Sequence, residues 1–215
     1  VILNDPEDVS DTSSTLYIDH YSTFNFKVDD VDKRQAVNGL MDAEMKEASL
    51  ATADEQDILV ANLAKDALAV KYTSTATQAT VDNVFDLLDG ALGKLYENDV
   101  KMDASIEAII PVWFYTLMKK AYIKLDTNNS DMLKNGKVGW YGNCAIKVSN
   151  NVAKDTQSNS LIQVRTPRAI AFAQAINHVE PYRIEKGFSD AVKGLSLYGA
   201  KIIRPKEMVI LNVKA

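Results

Sequence analysis

Cysteine, histidine and proline are scarce in this chain, at one, two and five among 215 residues. A single thiol, Cys144, excludes an internal disulfide and fits a reducing compartment. Neither His20 nor His178 has a Cys or a second His at ligand spacing, so no zinc-type pattern exists. Cys144, set between short strand-like pieces, reads as a small core residue, and nothing local assembles a Cys–His–Asp nucleophile. No run of 18 apolar residues occurs, so no spanning helix is expected. Clustered Lys and Arg are missing as well. The formal net charge is −5 and the pI about 5.1, which argues against gripping nucleic acid by phosphate neutralisation. "GALGK" at residues 90–94 has two residues between its glycines where a phosphate loop has four, and Leu95 follows the lysine. The opening "VILNDPEDVSDTSS" has no initiator Met, basic n-region or apolar h-region. It is not a signal peptide, and the chain is expected to lack an N-terminal portion of the natural protein. Asn128-Asn129-Ser130 fits the glycosylation triplet, without a secretory signal to support it.

What is present is ordinary for a globular chain: 47% hydrophobic and 25% charged residues, enough for one large domain or two small ones. Residues 15–28, "TLYIDHYSTFNFKV", alternate apolar and polar side chains as a strand does. From residue 31 to about 70 there is no Pro and one Gly, Gly39, among strong helix formers. One helix of that length would reach about 60 Å. A break near residues 49–54 is expected, with Thr52 or Asp54 as a second cap. Leu40, Met41, Met45, Ala48, Ile58, Leu59, Leu63 and Leu68 recur near helical spacing.

After a Thr/Ser-rich joint, Val81, Val84, Phe85, Leu88, Leu92 and Leu95 share one helix face, with Thr80 as cap and Gly93 fraying the end. Residues 106–110 read as a buried strand, and Pro111 opens the next helix. Gly139 and Gly142 separate short strands within "VGWYGNCAIKVS". Two C-terminal apolar runs are split by Arg204-Pro205. No internal repeat and no low-complexity tract appear.

The densest charge lies in "FNFKVDDVDKRQ", where Asp29, Asp30 and Asp32 stand among Lys27, Lys33 and Arg34. A calcium loop needs alternate oxygen ligands, a turn glycine and a distal Glu at set positions, a pattern that "DDVDKRQAVNGL" lacks. Carboxylates at a helix start accept hydrogen bonds from free N–H groups and meet the positive end of the dipole. The three aspartates are therefore expected to open the long helix. The competing reading is a metal-dependent hydrolase built on Asp29, Asp30 and Asp32 with a distant histidine.

Two stretches carry a family likeness. "TLYIDHYSTFNFKVDDVDKRQAVNGLMDAEMKEASLATADEQD" resembles the loop and spine-helix region of tailed-phage major capsid proteins, where F-x-F-K-V-D-D-x-D leads into the helix. "AIAFAQAINHVEPYRIEKGFSDAVKGLSLYGAKIIRPKEMVIL" is similar to their C-terminal signature: A-I-A-F-A, E-x-Y-R, F-x-D-x-V-x-G-L and Y-G-A-K-x-x-R-P in order. "NGKVGWYGNCAIKVSNNV" resembles their G-x-x-x-G hairpin, so the likeness is colinear over nearly the whole chain.

The resemblance implies an α+β tailed-phage major capsid fold. Residues 1–28 would be the later half of a truncated extended loop. Residues 29–78 with 160–205 would form a peripheral domain with the spine helix, and 79–159 with 206–215 an axial domain. It implies no enzyme, no catalytic, metal or cofactor residue and no cofactor. It implies a homo-oligomer of pentamers and hexamers in an icosahedral shell enclosing double-stranded DNA, with scaffolding and portal proteins as partners and no membrane. The place would be the virion, assembled in bacterial host cytoplasm, and an acidic lining would let DNA slide. Subunit-interface candidates are Phe24, Phe26, Lys27, Asp29, Asp30, Asp32, Arg183 and Arg204, with Phe24 and Phe26 as the loop's buried base. An encapsulin-like compartment shell is the nearest alternative.

Overall fold

Ser22, Phe24, Phe26 and Val28 fall on one side of an extended backbone, and β1 (His20–Asp29) forms there. The computed structural model describes residues 13–29, 40–66, 68–73, 75–102, 104–124, 139–185 and 187–215. Asp30, Asp32, the expected helix start and the Asn128 triplet lie outside them. β1 pairs antiparallel along its whole length with β9 (Ser189–Ile202), and β9 pairs antiparallel with β8 (Ile170–Arg183). β9 is thus the middle of a three-stranded sheet. Ser22 and Val28 are buried. Phe24 and Phe26 are half-buried, not the buried base expected, because they stack on each other (5.9 Å between centroids) on a sheet face that is only partly covered. β8 has a bulge between Gln174 and Ile176 and carries Pro181 near its end.

Asp29 is the last residue of β1, opposite Ser189 and exposed. The helix-start role expected for it is therefore corrected: its backbone belongs to strand pairing.

The described long helix, α1 (Leu40–Asn62), has 23 residues, about 35 Å. No break occurs at residues 49–54. The Thr52 hydroxyl donates to the Ala48 carbonyl at 3.0 Å within the helix and caps nothing. The helix stops before the expected residue 70, tightening into a 3-10 turn at Leu63–Lys65. Met41, Met45, Ala48, Thr52, Gln56 and Leu59 make a half-buried stripe toward β1 and β9. Ile58 and Leu68, expected in that stripe, are exposed. Buried Gln163 holds the helix end, its amide nitrogen donating to the carbonyls of Val60 (3.0 Å) and Ala61 (2.9 Å).

The remaining strands build a seven-stranded sheet. They are β2 (Val70–Lys71), β3 (Thr77–Gln78), β4 (Ile106–Ile110), β5 (Trp140–Tyr141), β6 (Cys144–Val148), β7 (Ser160–Arg165) and β10 (Met208–Lys214). The order is β2-β10-β7-β4-β6-β5, with β3 also on β10. β7, which the resemblance placed with residues 160–205, pairs here with β10 and β4. α2 (Val84–Glu97) and α3 (Val112–Lys124) pack on this sheet. Val84, Leu88, Leu95, Ile106, Phe114, Met118, Ile162 and Val164 lose essentially all solvent contact. Each contributes about 1.5–3 kcal/mol of transfer free energy.

α2 is entered at Asn83, not Thr80: the Asn83 side-chain oxygen accepts the Thr80 N–H at 2.7 Å and its amide donates to the Gln78 carbonyl at 2.9 Å. Gly93 does not fray α2, which runs on to Glu97. Pro111 precedes α3, and its carbonyl accepts the Tyr115 N–H at 3.1 Å. Gly142 takes φ +56 in the turn between β5 and β6, a conformation that favours glycine. Gly199 lies under residues 17–18, where a side-chain carbon would strike the Tyr17 carbonyl oxygen.

The chain passes between the sheets at residues 63–69, 166–169 and 203–207. In the loop before β7, the Asp155 carboxylate accepts the Gln157 (2.8 Å) and Asn159 (2.9 Å) N–H groups. It also accepts the side-chain amides of Asn159 (2.9 Å) and Asn212 (3.2 Å). These bonds, the Asn159 amide foremost, outweigh partial desolvation and bring its carboxyl down to about 2.

Gly199→Ala is expected to lower stability by about 1–3 kcal/mol, with faster amide exchange at residues 15–19; unchanged exchange would exclude the Tyr17 contact. A folded-state value below the ordinary 3.8 means that Asp155 contributes stability above that pH and loses it as pH falls toward about 2. Thermal unfolding between pH 6 and pH 2 should therefore be flatter in Asp155→Asn than in the parent.

Candidate assembly surfaces

The three-stranded sheet separates the expected interface residues into two groups. Val28, Asp190 and Arg183 are neighbours across β1, β9 and β8, so Lys27, Asp29 and Arg183 gather at one end. Phe24 and Phe26 lie further along β1. Arg183 reaches Asp190 at 3.5 Å. Tyr182 on β8 donates to the Asn25 side-chain oxygen on β1 at 3.0 Å, and Lys193 meets Glu180 at 3.1 Å. Such exposed pairs contribute little to stability, but they fix side-chain positions on an open face. Arg204 lies apart, beyond the Ile170–Ile202 end.

There Arg204 is tied within its own chain. Its guanidinium is 2.9 Å from the Glu207 carboxylate, and Arg168 approaches the same oxygen at 3.3 Å. The Thr166 hydroxyl donates to the other Glu207 oxygen. The Thr166 N–H donates to the Glu207 carbonyl at 3.1 Å, and the Ile203 N–H to the Ala169 carbonyl at 2.9 Å. Glu207, largely buried, thereby holds together two of the passages between the sheets. Burial alone would raise its pKa. The bonds from Thr166 and Arg204 and the charges of Arg168 and Arg204 outweigh that and hold it below the ordinary value. Sequence reading missed Glu207, since its partners at 166 and 168 are some forty residues away; Pro205 beside Arg204 was the only local sign of a fixed corner.

Large apolar side chains stand in solvent: Tyr17, Tyr21, Met102, Ile123, Trp140 and Phe188 are 63–84% exposed. Exposed apolar side chains of this size are candidates for contact with a partner. Trp140 and Phe188 were not singled out from sequence, although each borders a glycine in a turn-like stretch.

The hydrolase reading gains no assembled site. Among the described residues no three His, Cys, Asp or Glu side chains converge as a metal site would require. His20 and Asp29 occupy opposite ends of β1, about 30 Å apart. His178 lies on β8, opposite Leu195. Cys144 is fully buried, and burial first, then the Glu107 charge, pushes its thiol up to about 12, which suppresses the thiolate. "GALGK" is helical within α2. Among the described residues no helix is long and apolar enough to cross a membrane.

No family model and no curated protein sequence matches the chain. Solved structures do. A structure of Mycobacterium phage Che8 superposes with a TM-score of 0.80 at 25% identity, covering 98% of this chain and 76% of that one. The capsid structure of the cyanophage P-SCSP1u gives 0.73 at 16% identity, covering 93% and 73%. The holo-SrpI encapsulin complex from Synechococcus elongatus PCC 7942 fits less closely, at 0.59 and 10% identity, covering 90% and 73%. A ribbon sheet under a long helix, joined to a second sheet flanked by two shorter helices, is thus an architecture this chain shares with these structures. It is the tailed-phage major capsid fold.

Glu207→Gln is expected to weaken the Arg168 and Arg204 ties and to cost about 1–3 kcal/mol in urea unfolding. Amide exchange should quicken at residues 166–169 and 203–207 while α2 and β4 stay protected; uniform loss of protection would contradict a local clamp.

Proposed function

We propose that copies of this chain assemble as pentamers and hexamers into a closed icosahedral shell that encloses the double-stranded DNA of a phage or prophage. The observation carrying this is the fit of the Che8 and P-SCSP1u structures along nearly the whole chain. The surface is consistent with it: an open ribbon sheet, a helix with a half-covered stripe, and aromatic side chains in solvent. Heterologous contacts between such subunits close into rings, and many modest contacts sum to a strong shell. The role is geometric and non-enzymatic.

The net charge of −5 suits a container that lets DNA slide over its lining. Scaffolding and portal proteins are the further partners of this reading. The shell is the virion's, built in the bacterial host cytoplasm. Sheet pairing supports a peripheral unit of β1, α1, β8 and β9 and an axial unit of the seven-stranded sheet with α2 and α3. Residues 160–165 then go with the axial unit. Phe24, Phe26, Lys27, Asp29 and Arg183 are proposed to meet neighbouring subunits, as are Asp30 and Asp32, while Arg204 serves its own corner first. The encapsulin reading is not favoured by the weaker fit to the SrpI complex.

The full-length natural product, expressed and viewed by electron microscopy, is expected to give closed icosahedral particles, and DNA inside particles from phage-producing cells should resist nuclease until the shell is opened. A persistently monomeric product would overturn the shell, and co-purifying cargo enzyme without DNA would move the reading to a compartment.

A further inference from the structure

The seven-stranded sheet has a second face, turned away from α2 and α3. Ile162, Val164, Ile106 and Ala108 point into the core, so their strand neighbours Gln163, Arg165, Glu107 and Ile109 point the other way. The end of α1 lies over part of that face. Between them is an open recess of about 330 Å³, lined by residues from 57–61, 107–109, 147–153 and 161–165, all of them described. A volume of this order falls in the range of small-molecule sites. Val60, Ile109, Val152 and Leu161 give it an apolar wall. Asp57, Glu107, Lys147 and Arg165 are its charged lining, and their formal charges cancel. Glu107 and Lys147 already meet at 2.7 Å.

Two buried polar atoms in this lining are unmatched. Gln163 is 3% exposed, and its amide nitrogen is engaged by the Val60 and Ala61 carbonyls. A flipped amide would set oxygen against those two oxygens, so the orientation is fixed. Its Oε1 therefore faces away from the helix end, and no donor reaches it. Two residues on, along the same face of β7, the buried Nε of Arg165 has no acceptor. Each orphan costs free energy while it stays unmatched. They ask for opposite things, one a donor and the other an acceptor. A carboxylate offers acceptors alone and an ammonium donors alone. Either would also bring an uncompensated charge into a recess whose own charges cancel. A primary carboxamide offers both functions on separate atoms and stays neutral.

We propose that this recess binds a neutral primary carboxamide on a short aliphatic stem, the chemistry of a glutamine or asparagine side chain. The ligand N–H donates to Gln163 Oε1, its oxygen accepts from Arg165 Nε–H, and its stem lies on the apolar wall. The source is a free small molecule or a side chain of a neighbouring chain. Gln163 then bridges the ligand and the end of α1, so occupancy firms the seat of that helix on the sheet. The site does not depend on the shell reading.

The test titrates the full chain with butyramide, butyrate, butylamine and 1-butanol, reading the Gln163 side-chain amide and Arg165 Nε–H signals by NMR. Butyramide is expected to shift both signals saturably, with a Kd in the millimolar range for so small a probe. The other three should bind at least about tenfold more weakly. No saturable shift with butyramide would mean that water alone meets the two orphans and would overturn the site. An equal response to butyrate or butylamine would overturn the neutral assignment, and an equal response to 1-butanol would replace the amide by a hydroxyl. Arg165→Met should lose butyramide at least about tenfold, and parent-like binding by that variant would also overturn the proposal. The probe series needs no variant, so it decides even if Arg165→Met fails to fold. Two further arms separate the sources. A primary amide released on denaturing the purified chain, identified by mass spectrometry, would support a free ligand. Assembled particles that refuse butyramide and show a neighbour's Asn or Gln side chain in the recess by electron microscopy would support a side chain. A charged side chain seated there would overturn the proposal.

Discussion

β9 is hydrogen-bonded along both edges, to β1 over ten residues and to β8 over nearly all of its length. That double pairing is the constraint on which the remaining surface geometry rests. It holds together a narrow three-stranded ribbon against which, among the described residues, α1 lies. It fixes which side chains of β1 share an end with Arg183. It also sets the distance between the hairpin tip and the corner at residues 203–207. An isolated two-stranded hairpin of this length would be marginal in water, and the third strand with α1 above it makes the arm stable.

The second sheet does different work. Its central strands β7 and β4 are covered by α2 and α3, and its residues form a conventional close-packed core. The link between the two bodies consists of three passages of chain, of which two are held by one carboxylate, Glu207. A rigid core and an exposed ribbon are therefore joined at a corner whose angle depends on a few charge-assisted hydrogen bonds. That corner sets where the ribbon's side chains lie relative to the core.

The sequence was most readable where local pattern and final environment coincide. Residues 106–110 are an apolar run that becomes a covered strand, Pro111 stands where a helix begins, and Gly142 turns a hairpin. The ordered motifs from Phe24 to Arg204 pointed to the capsid fold, which the solved structures then supported along nearly the whole chain. It was least readable where a distant partner decides. Asp29 looks like a helix cap because carboxylates crowd there, yet Ser189, 160 residues on, holds it in a strand. Nothing near Asn62 in helix-forming composition ends α1; the last carbonyls are taken by Gln163, a hundred residues away. Thr80 has the chemistry of a cap, but Asn83 can bond both Thr80 and Gln78 and so organises the turn. Phe24 and Phe26 were expected to be buried from the resemblance, and alternation along β1 reports their shared face, not how well that face is covered.

The outer edge of β8 carries a bulge at Gln174/Ile176 and a proline at 181. The bulge spoils the regular spacing of its free backbone groups, and the proline removes a donor. At this edge a stray extended peptide thus finds no even ladder to extend. Recognition is left to side chains, which tell one orientation of a neighbour from another, where bare backbone would accept almost any.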